Sequence, residues 1–205
     1  MDKKGLFIVF EGIDGCGKDT HIEILAERLQ KFGFDVVKTY EPWESDEARL
    51  LKRIAAEGHR EITPDEEADL YLIDRYKHSE KVINPSLRTG KIVLCNRYYY
   101  STMAYQGALG ADPEKIKEDN ESLVPVPDLV LMLKAGAEEG MRRINARGKE
   151  IAKGYEQLKY LKKVAEIIYN IKAPNIKTID TERPKDAVAE DILKECRKVI
   201  GEWAQ

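Results

Sequence analysis

The chain has 205 residues, enough for one compact domain with a sizeable core but short for two. Charged residues make up 35% and hydrophobic ones 42%, and a net charge of −3 with a pI near 5.8 leaves no global excess of Lys and Arg, which argues against a nucleic-acid binder. The three cysteines, Cys16, Cys95 and Cys196, are odd in number and widely separated, so they outline neither a disulfide framework nor a zinc site and point to a reducing cytoplasm. The opening MDKKGLFIVFEG carries too short an apolar run to span a bilayer and no cleavage pattern, so neither secretion nor membrane insertion is expected.

In chain order, the spacing predicts a strand at Leu6–Phe10, a helix at His21–Phe32, a strand at Val36–Tyr40 and helices at Ser45–Glu57 and Asp65–Leu87. A strand at Ile92–Cys95, a helix at Ser101–Leu109, a strand at Leu129–Leu133 and helices at Ala137–Arg147 and Tyr155–Ile171 follow. The strand Ile176–Ile179 and the helix Lys185–Trp203 close the series. Short apolar runs without alternation read as strands buried on both faces. Five of them interleaved with helices imply a three-layer α/β fold, a parallel sheet covered on both sides. No repeat or long linker interrupts the chain. The basic stretch RGKEIAKG, residues 147–154, reads either as a solvated connection or as a lid over phosphate, spanning about 147–155.

Between the first strand and helix stands Gly12-Ile13-Asp14-Gly15-Cys16-Gly17-Lys18-Asp19-Thr20, a G-x-x-x-x-G-K match. Glycines let the backbone wrap phosphates with its N–H groups inward, a helix N-terminus adds positive potential, and Lys18 reaches the transferring group. Asp19 replaces the hydroxyl residue that ordinarily holds Mg²⁺. Either its carboxylate binds the metal, since hard oxygen ligands suit Mg²⁺, or it points away while Thr20 or water substitutes. A phosphate loop by itself implies only nucleotide binding.

The acceptor comes from other segments. Phe10-Glu11-Gly12-Ile13-Asp14-Gly15, Glu41-Pro42, Asp74-Arg75, Arg97-Tyr98, Ser101-Thr102, Ala104-Tyr105-Gln106-Gly107 and Pro127-Asp128-Leu129 form an ordered set that resembles the thymidylate (dTMP) kinase family over nearly the whole chain. That resemblance implies the P-loop kinase fold and ATP-dependent phosphorylation of dTMP to dTDP with Mg²⁺, in a cytoplasmic homodimer paired through helices beside the sheet. It places Tyr71 as the base-stacking aromatic, Arg75 at the thymine edge and Arg97 on the acceptor phosphate. Tyr105 falls where an aromatic crowds the sugar 2′ position, Gln106 where it can meet the base edge, and Asp14 where an acid orients the acceptor. Glu41, Pro42, Ser101, Thr102 and Tyr155 complete the acceptor set. Arg143 joins the ATP side, and Arg147, with Lys149 and Lys153, supplies the cation of the lid, as Gly15 stands where some members carry a basic residue. Plainer readings stay open: Tyr71 as core, Arg75 as a surface charge, and the aromatics of YYYSTMAYQG as packing.

Three positions depart from the family pattern. Asn96 precedes Arg97 where Asp is usual, Lys153-Gly154 replaces an Asp-Arg pair, and Tyr40 stands where Arg often precedes Glu41-Pro42. Losing a carboxylate at Asn96 while gaining one at Asp19 suggests a metal ligand moved across the site. These departures keep two alternatives in play, a kinase of another nucleoside monophosphate or related small acceptor, and a catalytically weakened nucleotide-binding regulatory protein.

Overall fold

The computed structural model describes residues 5–57, 62–146 and 158–203. Five parallel strands, β1 (Leu6–Glu11), β2 (Val36–Tyr40), β3 (Ile92–Asn96), β4 (Leu129–Lys134) and β5 (Ile176–Asp180), lie in the order β2-β3-β1-β4-β5. The three inner strands are apolar and buried over nearly their whole length, as expected of a sheet covered on both faces. The outer two correct that expectation: Lys38, Tyr40, Lys177 and Thr178 are exposed, because an edge strand has a neighbour on one side only.

Side chains alternate across the sheet. Leu6, Ile8, Phe10, Ile92, Leu94 and Leu131 enter one apolar cluster with α1 (Lys18–Lys31), α8 (Leu158–Asn170) and α9 (Lys185–Trp203). Phe7, Val9, Val93, Cys95 and Val130 enter a second. That second cluster takes side chains from α3 (Pro64–His78), α4 (Asn84–Arg88), α5 (Tyr99–Gly107) and α6 (Pro113–Leu123). The remaining helices are α2 (Asp46–Glu57) and α7 (Ala137–Ala146).

Several boundaries differ from the expected ones for identifiable reasons. α1 begins three residues early, at Lys18, because Gly17 adopts φ 101° and turns the phosphate loop straight into the helix. The expected helix Asp65–Leu87 starts at Pro64 behind a Thr63/Glu66 capping box, and a π-helical turn at Ser79–Ile83 divides it. Pro85 lacks an N–H and crowds the preceding carbonyls, and the widened turn just ahead of it relieves that conflict. α6 was not expected; Asp112 caps it by accepting from Glu114 N and Lys115 N, at 3.0 and 3.4 Å.

α5 begins at Tyr99, two residues before the expected Ser101, and its cap comes from another element. Glu11 Oε1, at the end of β1, accepts from Tyr98 N at 2.7 Å and Ser101 N at 3.0 Å, while Oε2 accepts from Ser101 Oγ at 2.6 Å. Burial pushes the Glu11 carboxyl above its usual range, opposed by these hydrogen bonds and by the charges of Arg97 and Lys18. The carboxylate thereby ties the C-terminal edge of the sheet to the helix that begins beside it.

Candidate active site

In an open parallel sheet, ligand-contacting loops gather at the carboxyl ends of the strands. Here those ends deliver the phosphate loop after β1, Glu41 after β2, Asn96 and Arg97 at β3, Gly136 after β4 and Thr181 after β5.

The phosphate loop is shaped by contacts that leave no room for side chains. A Cβ on Gly12 (φ +136°) would lie 2.3 Å from Leu133 O, and one on Gly15 (φ +81°) 2.3 Å from Gly140 O of α7. Gly140 is equally constrained, with Asp14 O 2.6 Å from its Cβ position. The loop therefore packs backbone against backbone on α7, and a basic side chain at position 15 has no space without displacement. Ile13 and Cys16 are buried beneath it. Lys18 Nζ donates to Gly12 O at 2.9 Å and Ile13 O at 3.0 Å, so the amine curls over its own loop. No side chain caps the α1 N-terminus. Arg143 of α7 donates to Gly15 O at 3.4 Å and Thr181 O at 2.9 Å and pairs with Glu139, bridging the loop to the end of β5.

Asp19, which departs from the phosphate-loop motif, and Asn96, which departs from the family pattern, are direct neighbours. Asn96 Nδ2 donates to Asp19 Oδ1 at 2.6 Å, and the buried Asn96 Oδ1 has no hydrogen-bond partner. Thr20 is exposed on the next position of α1.

Opposite the loop, a cleft of about 250 Å³ is lined by Asp14, Glu41, Pro42, Tyr71, Arg75, Arg97, Ser101, Thr102, Tyr105 and Gln106, together with Ala55 and Tyr98. Every expected acceptor residue among the described ones thus meets in one cavity. Arg147 and Tyr155, and the lid call at 147–155, lie outside the described residues.

Among the described residues, Arg97 is the one non-glycine with positive φ, +70°, a region costing a side-chain-bearing residue about 1–2 kcal/mol. It is fixed from several sides: its N–H donates to Phe10 O at 2.9 Å, Nη1 to Ser101 Oγ at 2.9 Å, and Nη2 to Asp14 Oδ1 and to Tyr105 OH at 3.3 Å. Its guanidinium lies over the Tyr105 ring, 5.0 Å from the centroid. Tyr105 OH in turn donates to Asp14 Oδ2 at 3.0 Å. Burial raises the Asp14 carboxyl, but the Arg97 and Lys18 charges outweigh it and hold the group below the usual aspartate value.

Arg75 is only 1% exposed, which corrects the surface-charge alternative. Nε donates to Glu41 Oε2 at 2.6 Å and Nη2 to Thr102 Oγ1 at 3.0 Å, Nη1 bonds Asn120 Oδ1, and the plane lies 5.1 Å from the Tyr98 centroid. Its neighbour Asp74 accepts from Trp43 N at 2.7 Å, so the Asp74-Arg75 pair clamps both sides of the turn after β2. Gln106 is buried with neither amide atom paired. Of the aromatics in YYYSTMAYQG, Tyr99 and Tyr100 pack in the core, whereas Tyr105 borders the cleft.

Sequence reasoning assigned no role to Glu11, Asn120 or His78. A lone acid closing an otherwise apolar strand was the available signal for Glu11; Asn120 sits on the unexpected α6, and its partnership with Arg75 had no local trace.

Because Asp14 has a folded pKa below its unfolded value of 3.8, it contributes stability that is fully present above that pH and lost as pH falls through the folded value. Asp14→Asn is therefore expected to melt below the parent at pH 7, with the gap shrinking as pH drops beneath about 4. A gap that persists unchanged to pH 2.5 contradicts this.

The thymidylate kinase family model matches residues 10–192. A thymidylate kinase of Desulfotalea psychrophila is 40% identical over 196 residues, covering 96% of either chain, and one of Akkermansia muciniphila is 39% identical over 193 residues, covering 94% of this chain and 92% of the relative. A probable thymidylate kinase of Thermococcus onnurineus is 45% identical over 149 residues, 69% of this chain and 72% of the relative. With the phosphate loop, the adjoining cleft and a match across nearly its full length, the chain belongs to the thymidylate kinase family.

Proposed function

We propose that the protein, an ATP-dependent phosphotransferase converting dTMP to dTDP by its family, holds the ATP phosphates on the Gly12–Thr20 loop and dTMP in the cleft between Arg75 and Arg97. The observation that carries this assignment is the Arg97 guanidinium, locked beside Asp14, which itself lies within the field of Lys18. One acid thus sits between a cation for each phosphate.

Phosphoryl transfer asks mainly for in-line positioning and charge stabilisation. A dTMP phosphate oxygen bonds to the γ-phosphorus as the bond to the β,γ-bridging oxygen breaks, and ADP leaves with that electron pair. Lys18 exchanges the Gly12 and Ile13 carbonyls for phosphate oxygens, which are stronger acceptors. Arg97 binds the acceptor phosphate, with Ser101 steadying its Nη1. At the base end, three of Arg75's five N–H groups are bonded, leaving two for a thymine carbonyl. The unpaired Gln106 amide offers a donor and an acceptor to the base edge, and Tyr71, one helical turn before Arg75, offers a stacking face. Tyr105, fixed under Arg97, crowds the sugar. Arg143, joined to Gly15, is assigned to the ATP side; Arg147 as lid cation and Tyr155 in the acceptor set stay as the family resemblance implies.

Mg²⁺ fits Asp19 and Asn96: a carboxylate and a buried amide oxygen without a partner are hard oxygen donors side by side. When bound there it neutralises charge on the donor phosphates. The carboxylate lost from the end of β3 is thereby replaced from the first turn of α1.

The remaining assignments are a single domain, a cytoplasmic setting and a homodimer, with small nucleotides and no nucleic acid as partners. Three buried, free cysteines support the reducing compartment, and among the described residues no helix is long and apolar enough to cross a membrane. Of the two helices first considered for pairing, α5 is spent on the protein's own core from Tyr99 to Gln106, whereas α3 presents Ile73 and Tyr76 nearly half exposed; pairing is assigned to α3.

A coupled ADP-release assay across dTMP, dUMP, dGMP, CMP and UMP tests the acceptor assignment. The highest kcat/KM is expected for dTMP; preference for another monophosphate overturns it. Asp19→Ala is expected to raise the Mg²⁺ concentration for half-maximal rate about tenfold or more and to weaken Mg²⁺-dependent ATP binding in calorimetry. Parental Mg²⁺ dependence in both measurements removes Asp19 from the metal site.

A further inference from the structure

His78 closes α3 three residues after Arg75 and does not line the cleft, yet it is fully buried and both its ring nitrogens are engaged. Nδ1 lies 3.0 Å from Glu41 Oε1 and Nε2 lies 2.6 Å from Thr39 Oγ1. Trp43 stacks on the ring at 5.4 Å and 18°. An apolar side chain would fill this place without the cost of burying two polar nitrogens, so the hydrogen bonds themselves are the feature to explain.

They converge on Glu41. One carboxylate oxygen meets His78 and the other meets Arg75 Nε at 2.6 Å, so the carboxylate cannot turn without losing one partner. A guanidinium is planar; once Nε is fixed by Glu41, and Nη1 and Nη2 by Asn120 and Thr102, its two remaining N–H groups have a set direction. The proton inventory is consistent along the chain. Glu41 accepts on both oxygens, so the His78 ring donates to it from Nδ1, while Nε2 and the Thr39 hydroxyl share the second hydrogen bond.

We propose that His78 is a positioning residue for acceptor recognition, the hydrogen-bond series Thr39–His78–Glu41–Arg75 setting the plane in which Arg75 meets the base. This rests on the assignment of the cleft to dTMP. A metal is the competing use of the same place, because Cys95 joins Glu41 and His78 in a buried trio with ligand atoms within 4.8 Å. Chemistry disfavours it. Burial pushes the Cys95 thiol well up, with Glu41 and Glu11 adding to the effect, so the thiolate a metal needs is suppressed. Cys95 Sγ already donates to Arg97 O at 3.1 Å, and coordination by Glu41 would compete with its ion pair to Arg75.

Steady-state kinetics with each substrate varied in turn tests the proposal. His78→Phe keeps an aromatic ring for Trp43 but removes both hydrogen bonds. Its KM for dTMP is expected to rise about tenfold, the size of losing a hydrogen bond to a buried charged group, while kcat and the KM for ATP stay within about twofold. His78→Asn places an amide N–H where Nδ1 stood and is expected to recover most of the dTMP affinity. A parental dTMP KM in His78→Phe, or an equal rise in both substrates' KM, overturns the proposal and leaves His78 a packing residue. If His78→Phe does not accumulate folded, Thr39→Val decides: a rise of about threefold or more in dTMP KM supports the series and a parental value refutes it. The parent enzyme separates the two assignments. Failure of the parent to turn over dTMP refutes the cleft assignment, whereas dTMP turnover with an insensitive His78→Phe refutes the positioning role alone.

Discussion

The ion pair between Arg97 and Asp14 joins the two halves of the site. Asp14 belongs to the phosphate loop after β1, and Arg97 follows β3, the neighbouring strand. Their pairing fixes the phosphate loop against the end of β3, the two places to which the proposed function assigns the triphosphate and the monophosphate. Arg97 is there only because its backbone accepts a left-handed conformation, about 1–2 kcal/mol uphill, offset by hydrogen bonds from its N–H and guanidinium to four different residues. Ser101, one of the four, is held by Glu11 at the end of β1. Central strand, phosphate loop, β3 and α5 therefore form one hydrogen-bonded unit.

A second unit centres on Arg75, which the proposed function places at the base. Arg75 reaches it from α3, and the residues that orient the guanidinium come from elsewhere: Glu41 after β2, Thr102 on α5 and Asn120 on α6. Arg75 is thus held by partners from three other segments distant in sequence. On the donor side, the contact between Gly15 and Gly140 seats the phosphate loop on α7, and Arg143 from the same helix reaches Gly15 O. Any movement of α7 is felt by the loop, since the two backbones touch without side chains between them.

The sheet was legible because five short apolar runs can be little else between amphipathic helices, and all five strands lie within a residue of their expected bounds. The phosphate loop was legible because it needs glycines: backbone contact forbids a Cβ at Gly12 and Gly15, and Gly17 adopts a positive φ. The cleft residues were legible only as an ordered resemblance; nothing in local spacing brings Tyr71, Arg97 and Gln106 together. What escaped is non-local. α6 is too polar for periodicity to announce, with Ile116 and Asn120 its buried residues. The π turn answers a proline ahead of it. Glu11 and His78 act through partners 90 and 37 residues away, distances no sequence window spans.

The account stands on Lys18 and Arg97 gripping two phosphates across Asp14. A crystal structure with dTMP and a non-hydrolysable ATP analogue tests it most directly. The account predicts the acceptor phosphate about 3 Å from the Arg97 guanidinium, and Lys18 Nζ released from the Gly12 and Ile13 carbonyls onto donor phosphate oxygens. A complex in which Lys18 keeps both carbonyls while the dTMP phosphate lies beyond the reach of Arg97 would contradict it.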